Sequence, residues 1–456
     1  DSYGLTRIYK IGFDQLISVA DVVGRLSREP FIEYAEPNYL LELAFLPNDP
    51  EFYRQWFLHN EGQCYNPPTC SPRTPDADID AVEAWDIQIG NNIIVAIIDS
   101  GLAISNPEIQ ENVWQNYAEI NGIPNVDDDN NRFVDDFNGW NFVNSNNNLQ
   151  DNNAHGTGIA GVLAAKMNNG VGVASVCPYC KVMVVKVTDN GNYPMSTLVP
   201  GFNYAIDNGA QIISMSFVSP QSEALQDLVV TGHNNGVIMV AAAGNGNFPV
   251  PFYPAAYSEV IGVAGSTAQD LKWSSSNYGS WIDITAPAKE IYTMGRNAGA
   301  YFYNDGTSYA APIVAGVAGL ILSKNSTLTK AEVEQLIMAN ADSLPNEPLY
   351  LQGLMGSGRV NAHRALVATP SDPAGIVLLG DSPIPVSLLM TVAPNPFSSV
   401  TEVGFELPRD SEVHLAVYDV QGRLIRSITA GVYLRGEHQT RWDGRDSMGK
   451  DVASGL

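Results

Sequence analysis

Three short segments carry the residues best able to do nucleophilic chemistry: Asp99-Ser100-Gly101, His155-Gly156-Thr157-Gly158 and Gly306-Thr307-Ser308-Tyr309-Ala310-Ala311-Pro312. A serine hydroxyl is too weakly acidic to attack a carbonyl at neutral pH unless an adjacent imidazole takes its proton. That imidazole can later return the proton to a leaving amine, and a carboxylate on its far nitrogen holds its tautomer and stabilises its charged form. Ser308, His155 and Asp99 are therefore candidates for nucleophile, general base and acid, and orienting carboxylate. Singly the segments say little, because Asp-Ser-Gly is also an ordinary turn and His-Gly an ordinary loop. Their weight comes from occurring together, each at the end of the right kind of element.

Those elements can be read from the apolar pattern. Residues 93–98 form a continuous apolar run of strand length that ends at Asp99. Runs at 211–215, 236–242 and 260–264 are of the same kind, and 181–187 is also strand-like. A helix over 156–165 opens at His155. The small residues of 309–316 suit a helix passing close through a core, with Ser308 at its N-terminus, where backbone N–H groups favour developing negative charge. Buried strands alternating with helices from about 47 to 368 predict an α/β fold, a parallel β-sheet flanked by helices. In such sheets ligands bind beyond the carboxyl ends of the strands, where Asp99 and Asn245 fall.

Bulk properties narrow the function classes. A chain of 456 residues suggests roughly three units, and 24 basic against 49 acidic residues give a net charge of −25. Such a surface repels nucleic acid and anionic membranes, so neither is an expected partner. No run reaches the roughly 18 to 20 apolar residues of a membrane span, and the nearest, 310–322, is broken by Pro312, Gly316 and Gly319. The start at Asp1, without Met or an apolar leader, reads as a processed or truncated end.

The cysteines form two close pairs, Cys64 with Cys70 and Cys177 with Cys180. Cys177-Pro178-Tyr179-Cys180 has thioredoxin-like spacing but precedes a strand instead of following one. The Cys64–Cys70 spacing is too wide for a usual zinc site. Two local disulfides in an exported protein are the reading adopted, with free thiols, zinc and redox chemistry as alternatives. Residues 127–136 hold five carboxylates, and Asp127, Asp129, Asn131 and Asp135 have the alternate spacing of a calcium loop, with the Phe133 carbonyl between them. Arg132 stands where an EF-hand has its turn glycine, and no Glu occupies the twelfth position. A structural calcium site unlike an EF-hand is weighed evenly against a solvated acidic loop.

The order Asp, His, Ser and the residues around each resemble the subtilisin-like serine proteases, the subtilases. The resemblance implies a secreted serine endopeptidase acting on protein or peptide substrates, with no cofactor for catalysis. It implies that Asn245, in Ala241-Ala242-Ala243-Gly244-Asn245-Gly246, donates its amide to the tetrahedral intermediate beside the Ser308 N–H. Ser214-Met215-Ser216-Phe217-Val218-Ser219-Pro220 is similar to the strand that lines the primary specificity pocket, and Phe252 falls near its base. The family usually has glycine at both Val218 and Phe252, so a smaller or reshaped pocket is expected. Ala154 replaces a usual glycine before the histidine, and Gly158 a common second histidine.

The flanks also resemble known parts. Residues 1–45 are similar to the end of a small α+β inhibitory propeptide, with self-cleavage expected between about Glu42 and Pro47. The peptidase domain follows over 46–368, then a Pro- and Ser-rich linker over 369–390. Residues 391–456, with short strands at 402–407, 413–418 and 424–428, resemble a small all-β Ig-like sandwich lacking its last strand. The implied partners are the chain's own propeptide and, through the C-terminal domain, secretion machinery or the cell surface. The implied location is extracellular. Rival readings are a binding protein on an inactive scaffold, an acyl transferase with an amine acceptor, and a structural surface protein. No catalytic group is missing that would favour the first.

Overall fold

The computed structural model describes residues 46–63, 73–91, 93–346, 348, 351–372, 390–393, 401–407, 411–418, 424–433, 436–445, 450 and 452. The chain divides into two units, Asp1–Phe45 and Leu46–Leu456. The propeptide-like segment, the pair Cys64 and Cys70, and most of the expected linker lie outside the described residues.

Seven strands form one parallel sheet: β1 (Ile94–Asp99), β2 (Gly139–Asn141), β3 (Lys181–Lys186), β4 (Ile212–Met215), β5 (Ile238–Ala242), β6 (Ile261–Ser266) and β7 (Ile284–Pro287). Their order is β2-β3-β1-β4-β5-β6-β7. The chain therefore leaves β1 toward one side and returns on the other, which makes the C-terminal end of β1 a switch point. Continuous apolar runs follow from burial on both faces. Val95 and Ile97 of β1 enter one core, while Ala96 and Ile98 enter the core on the opposite face.

Among the described residues the longer helices are α1 (His155–Ala164), α2 (Met195–Asp207), α3 (Glu223–Asn234), α4 (Thr307–Lys324), α5 (Lys330–Ala339) and α6 (Ala362–Ala368). Residues of α1 and α4 fill the first core, and Phe202 of α2 with Leu225 and Val229 of α3 fill the second. Among the described residues α4 is the one helix long and apolar enough to cross a membrane, but it is a buried core helix. Its glycines allow close approach: a Cβ on Gly316 would lie 2.8 Å from Val176, and one on Gly319 2.7 Å from Cys180 Sγ.

A hairpin, β8 (Ile291–Met294) with β9 (Tyr301–Asn304), follows the sheet. The C-terminal region has the short antiparallel strands of an Ig-like domain: β10 (Met390–Ala393), β11 (Thr401–Leu407), β12 (Ser411–Tyr418), β13 (Leu424–Tyr433) and β14 (Gly436–Trp442). They pair as β10-β11-β14 and β12-β13. Glu402 and Arg441 face each other across β11 and β14 and join through Arg441 Nε at 2.8 Å.

Candidate active site

Strand β1 delivers Asp99 to the switch point, where its side chain is 1% exposed. Its carboxylate is heavily engaged. Oδ1 accepts from Ser100 N at 2.7 Å, Oδ2 accepts from the Tyr193 hydroxyl at 3.1 Å, and His155 Nδ1 lies 3.0 Å from both oxygens. His155 is the first residue of α1, and the preceding Ala154 turns the chain at φ +78°. The loop before it is tied by the buried Asp151. That carboxylate accepts from Ser100 Oγ, the N–H groups of Asn153, Ala154 and Thr157, and the Thr157 hydroxyl. Glycine is needed where the two loops touch, since a Cβ on Gly156 would lie 2.3 Å from the Gly101 carbonyl. Burial pushes the His155 imidazole down, but the Asp99 charge and hydrogen bond, helped by Asp151, outweigh it and hold the imidazole above its ordinary value.

Ser308 is the second residue of α4. Pro312, four residues on, has no N–H to donate to the Ser308 carbonyl, a defect that costs about 3 kcal/mol in a helix interior. Ser216 Oγ makes that bond instead, at 2.8 Å, and Ser308 Oγ donates to the Ser216 carbonyl at 3.4 Å. No hydrogen bond joins Ser308 Oγ to His155 among the described residues, a looseness common before substrate closes a site. Asn245 follows β5 in the loop opposite. Its Oδ1 accepts from Thr307 N at 2.9 Å and Thr307 Oγ1 at 2.8 Å, which leaves Nδ2 facing away. A Cβ built on Gly306 would sit 3.6 Å from both Asn245 Nδ2 and Ser308 N. Two nitrogen donors therefore lie on the same side of Gly306, an arrangement able to hold an oxyanion.

The expected substrate strand divides in two. Ser214 and Met215 belong to β4 and are 1% and 0% exposed, inside the sheet. Ser216, Phe217 and Val218 leave the sheet at the site, and Val218 is exposed. Val218 Cγ1 lies 3.2 Å from where a Cβ on Gly244 would be, so its side chain reaches across to the opposite wall. Phe252 is half-buried and stacks on Phe248 at 5.8 Å between ring centroids.

Away from the site, Cys177 and Cys180 form a disulfide with S–S 2.03 Å, buried against α4. In the acidic loop the converging carboxylates are Glu119, Asp129 and Asp136, whose ligand atoms lie within 4.8 Å of one another. Of the four expected calcium ligands, Asp129 alone is in that group. Asp127 accepts from the N–H groups of Asn131 and Arg132, Asn131 turns its amide nitrogen toward Asp129 and Asp136, and Asp135 Oδ2 accepts from Asn125 N. An all-oxygen set with the buried Asp135 Oδ1 unpartnered nearby fits a hard cation such as calcium.

Sequence reasoning missed Tyr193, Asp151 and Thr307. Asp151 leaves a faint trace in Asp151-Asn152-Asn153-Ala154-His155, a side chain four residues before the histidine and suited to capping its loop. Tyr193 leaves none.

Comparison with known proteins identifies the family. The Subtilase family model matches residues 90–358, and the FlgD Ig-like domain model matches residues 393–456. The chain is 31% identical to the thermophilic serine proteinase of Bacillus sp. (strain AK1) over 76% of each chain. It is 33% identical to thermitase of Thermoactinomyces vulgaris over 71% of this chain and 99% of the relative. A solved structure of a protease from Pseudoalteromonas arctica PAMC 21717 superposes with a TM-score of 0.56 at 27% identity, covering 71% of this chain and 99% of the other. With its seven-stranded parallel sheet and these matches, the chain belongs to the subtilase family and is a subtilisin-like peptidase.

Proposed function

We propose that the chain is a secreted serine endopeptidase in which Ser308 attacks the peptide carbonyl while His155 takes its proton. Asp99 holds the imidazole and stabilises its charged form. Asn245 Nδ2 and Ser308 N bind the oxyanion, His155 returns the proton to the leaving amine, and water repeats the cycle on the acyl-enzyme. The observation that carries this reading is the convergence of the Asp99–His155 pair with two N–H donors around Gly306. Ser216, Phe217, Val218 and Phe252 would contact the substrate before the scissile bond.

The proposal extends to the organisation of the chain. Residues 1–45 act as a propeptide removed near 42–47, 46–368 form the peptidase, 369–390 link, and 391–456 form the Ig-like domain that serves export or surface attachment. Structural calcium is proposed at Glu119, Asp129 and Asp136, supplying stability and no step of the reaction.

Labelling with a fluorophosphonate tests the reading. Wild-type chain should label at Ser308, label faster once residues 1–45 are removed, and cleave peptides. Ser308→Ala should do neither. A folded, trimmed chain that neither labels nor cleaves would be a binding protein on this scaffold.

A further inference from the structure

Asp99 Oδ1 has the backbone N–H of Ser100 to fix it, whereas Oδ2 has no backbone donor among the described residues. The Tyr193 hydroxyl fills that place at 3.1 Å, while His155 Nδ1 sits symmetrically at 3.0 Å from both oxygens. A carboxylate held on one side only can rotate about its Cβ–Cγ bond, and the imidazole follows it.

The tyrosine is itself well held. Its ring stacks on Phe217 at 4.8 Å and 25°. The loop leading to it is closed by Thr188 Oγ1, which accepts from the N–H groups of Asn190 and Gly191, and Pro194 then caps α2. The ring also packs, partly buried, against the second core. Phe217 leaves the sheet beside the substrate-facing Val218, so the tyrosine bridges the substrate wall and the orienting carboxylate.

We propose that Tyr193 is a positioning residue for the hydrolysis: its hydroxyl fixes Asp99 Oδ2, keeps the carboxylate square to His155 and draws charge away from it. The inference rests on the peptidase reading for its kinetics, but its spectroscopic test does not. Removing the hydroxyl concentrates the Asp99 charge on the imidazole, so His155 should hold its proton to higher pH. The other ionisable groups around the pair keep their places. Asp151 is tied by backbone N–H groups, and Tyr309 meets the His155 ring edge-on at 6.0 Å. Lys186, behind Gly101, donates to the Gln150 carbonyl and pairs with Asp189 at 2.6 Å.

Tyr193→Phe keeps the stack on Phe217 and deletes only the hydroxyl. In this variant kcat should fall about three- to tenfold with KM changed by less than about twofold, and the acid limb of kcat/KM should move up by about half a pH unit. Proton NMR of the His155 ring should report the same upward shift, and thermal unfolding confirms that the fold is kept. A His155 titration that stays in place or moves down would overturn the proposal, even with lower kcat, because the tyrosine would then only support the loop. If wild type hydrolyses no peptide, the peptidase reading fails, and the NMR titration still decides the role of Tyr193.

Discussion

Two buried aspartates in this molecule each accept a tyrosine hydroxyl, and they have opposite surroundings. Asp99 accepts from Tyr193 at 3.1 Å, and Asp136 accepts from Tyr204 at 2.6 Å. Beside Asp99 stands an imidazole that can become a cation. Beside Asp136, among the described residues, stand the neutral amides of Asn116 and Asn131 and the carboxylates Asp129 and Glu119. Burial pushes Asp136 up to about 6, although Tyr204, Asn131 and Asn116 each pull it down. Hydrogen bonds from neutral donors thus do not make a buried carboxylate comfortable in its charged form. A neighbour able to carry positive charge gives a buried carboxylate an ionic partner, whereas neighbouring carboxylates favour its taking up a proton or a cation.

Substituting each aspartate by asparagine should break the comparison in different quantities. Asp99→Asn should lower kcat by about 10⁴-fold with the fold intact, since an amide cannot hold the working tautomer of His155. Peptide hydrolysis with unchanged thermal unfolding measures this, and a loss below about tenfold would remove Asp99 from the mechanism.

Asp136→Asn should act on stability instead. The folded value of about 6 lies above the ordinary 3.8, so the folded state holds this proton more tightly than the unfolded chain. The stability it contributes is complete below pH ~4 and is lost as pH rises through about 6, a loss of about 2–3 kcal/mol. In chelator, wild type should therefore lose that much relative to Asp136→Asn between pH 4 and 7, read by denaturant unfolding. Millimolar calcium at pH 7 should restore wild type and leave the variant unmoved. An equal response of both chains would show that Asp136 binds no cation.

The smallest expected effect sharpens the account of the histidine loop. Ala154 sits at φ +78°, where a Cβ is crowded. Ala154→Gly should raise unfolding stability by about 0.5–1 kcal/mol and leave kcat/KM within about twofold, since Asp151 and not residue 154 anchors the loop.

What the sequence reveals follows the range of the interactions. Strand β1 and the start of α1 are legible because apolar runs and small-residue loops are local signals. So is the closeness of Cys177 and Cys180, three positions apart. The Tyr193–Asp99 bond spans 94 positions, and no pattern near either residue points to the other. A strand covered on both faces reads the same up to the residue where it leaves the sheet, so nothing in the run marks where the buried Met215 gives way to Ser216. In the acidic loop the alternate spacing points to Asp129, whereas the carboxylates that meet it, Glu119 on a short preceding helix and Asp136 beside Asp135, lie off that alternation.

The missing rung at Pro312 has a consequence for how the molecule opens. In most helices the first turns fray independently of their neighbours, at little free energy. Here the Ser308 carbonyl is held from outside by Ser216 Oγ, so loosening the start of α4 also costs a bond to the residue that follows β4. Amide exchange at the start of α4 should then be slower than at an ordinary helix end, with Ser308 held in place while other helix termini fray.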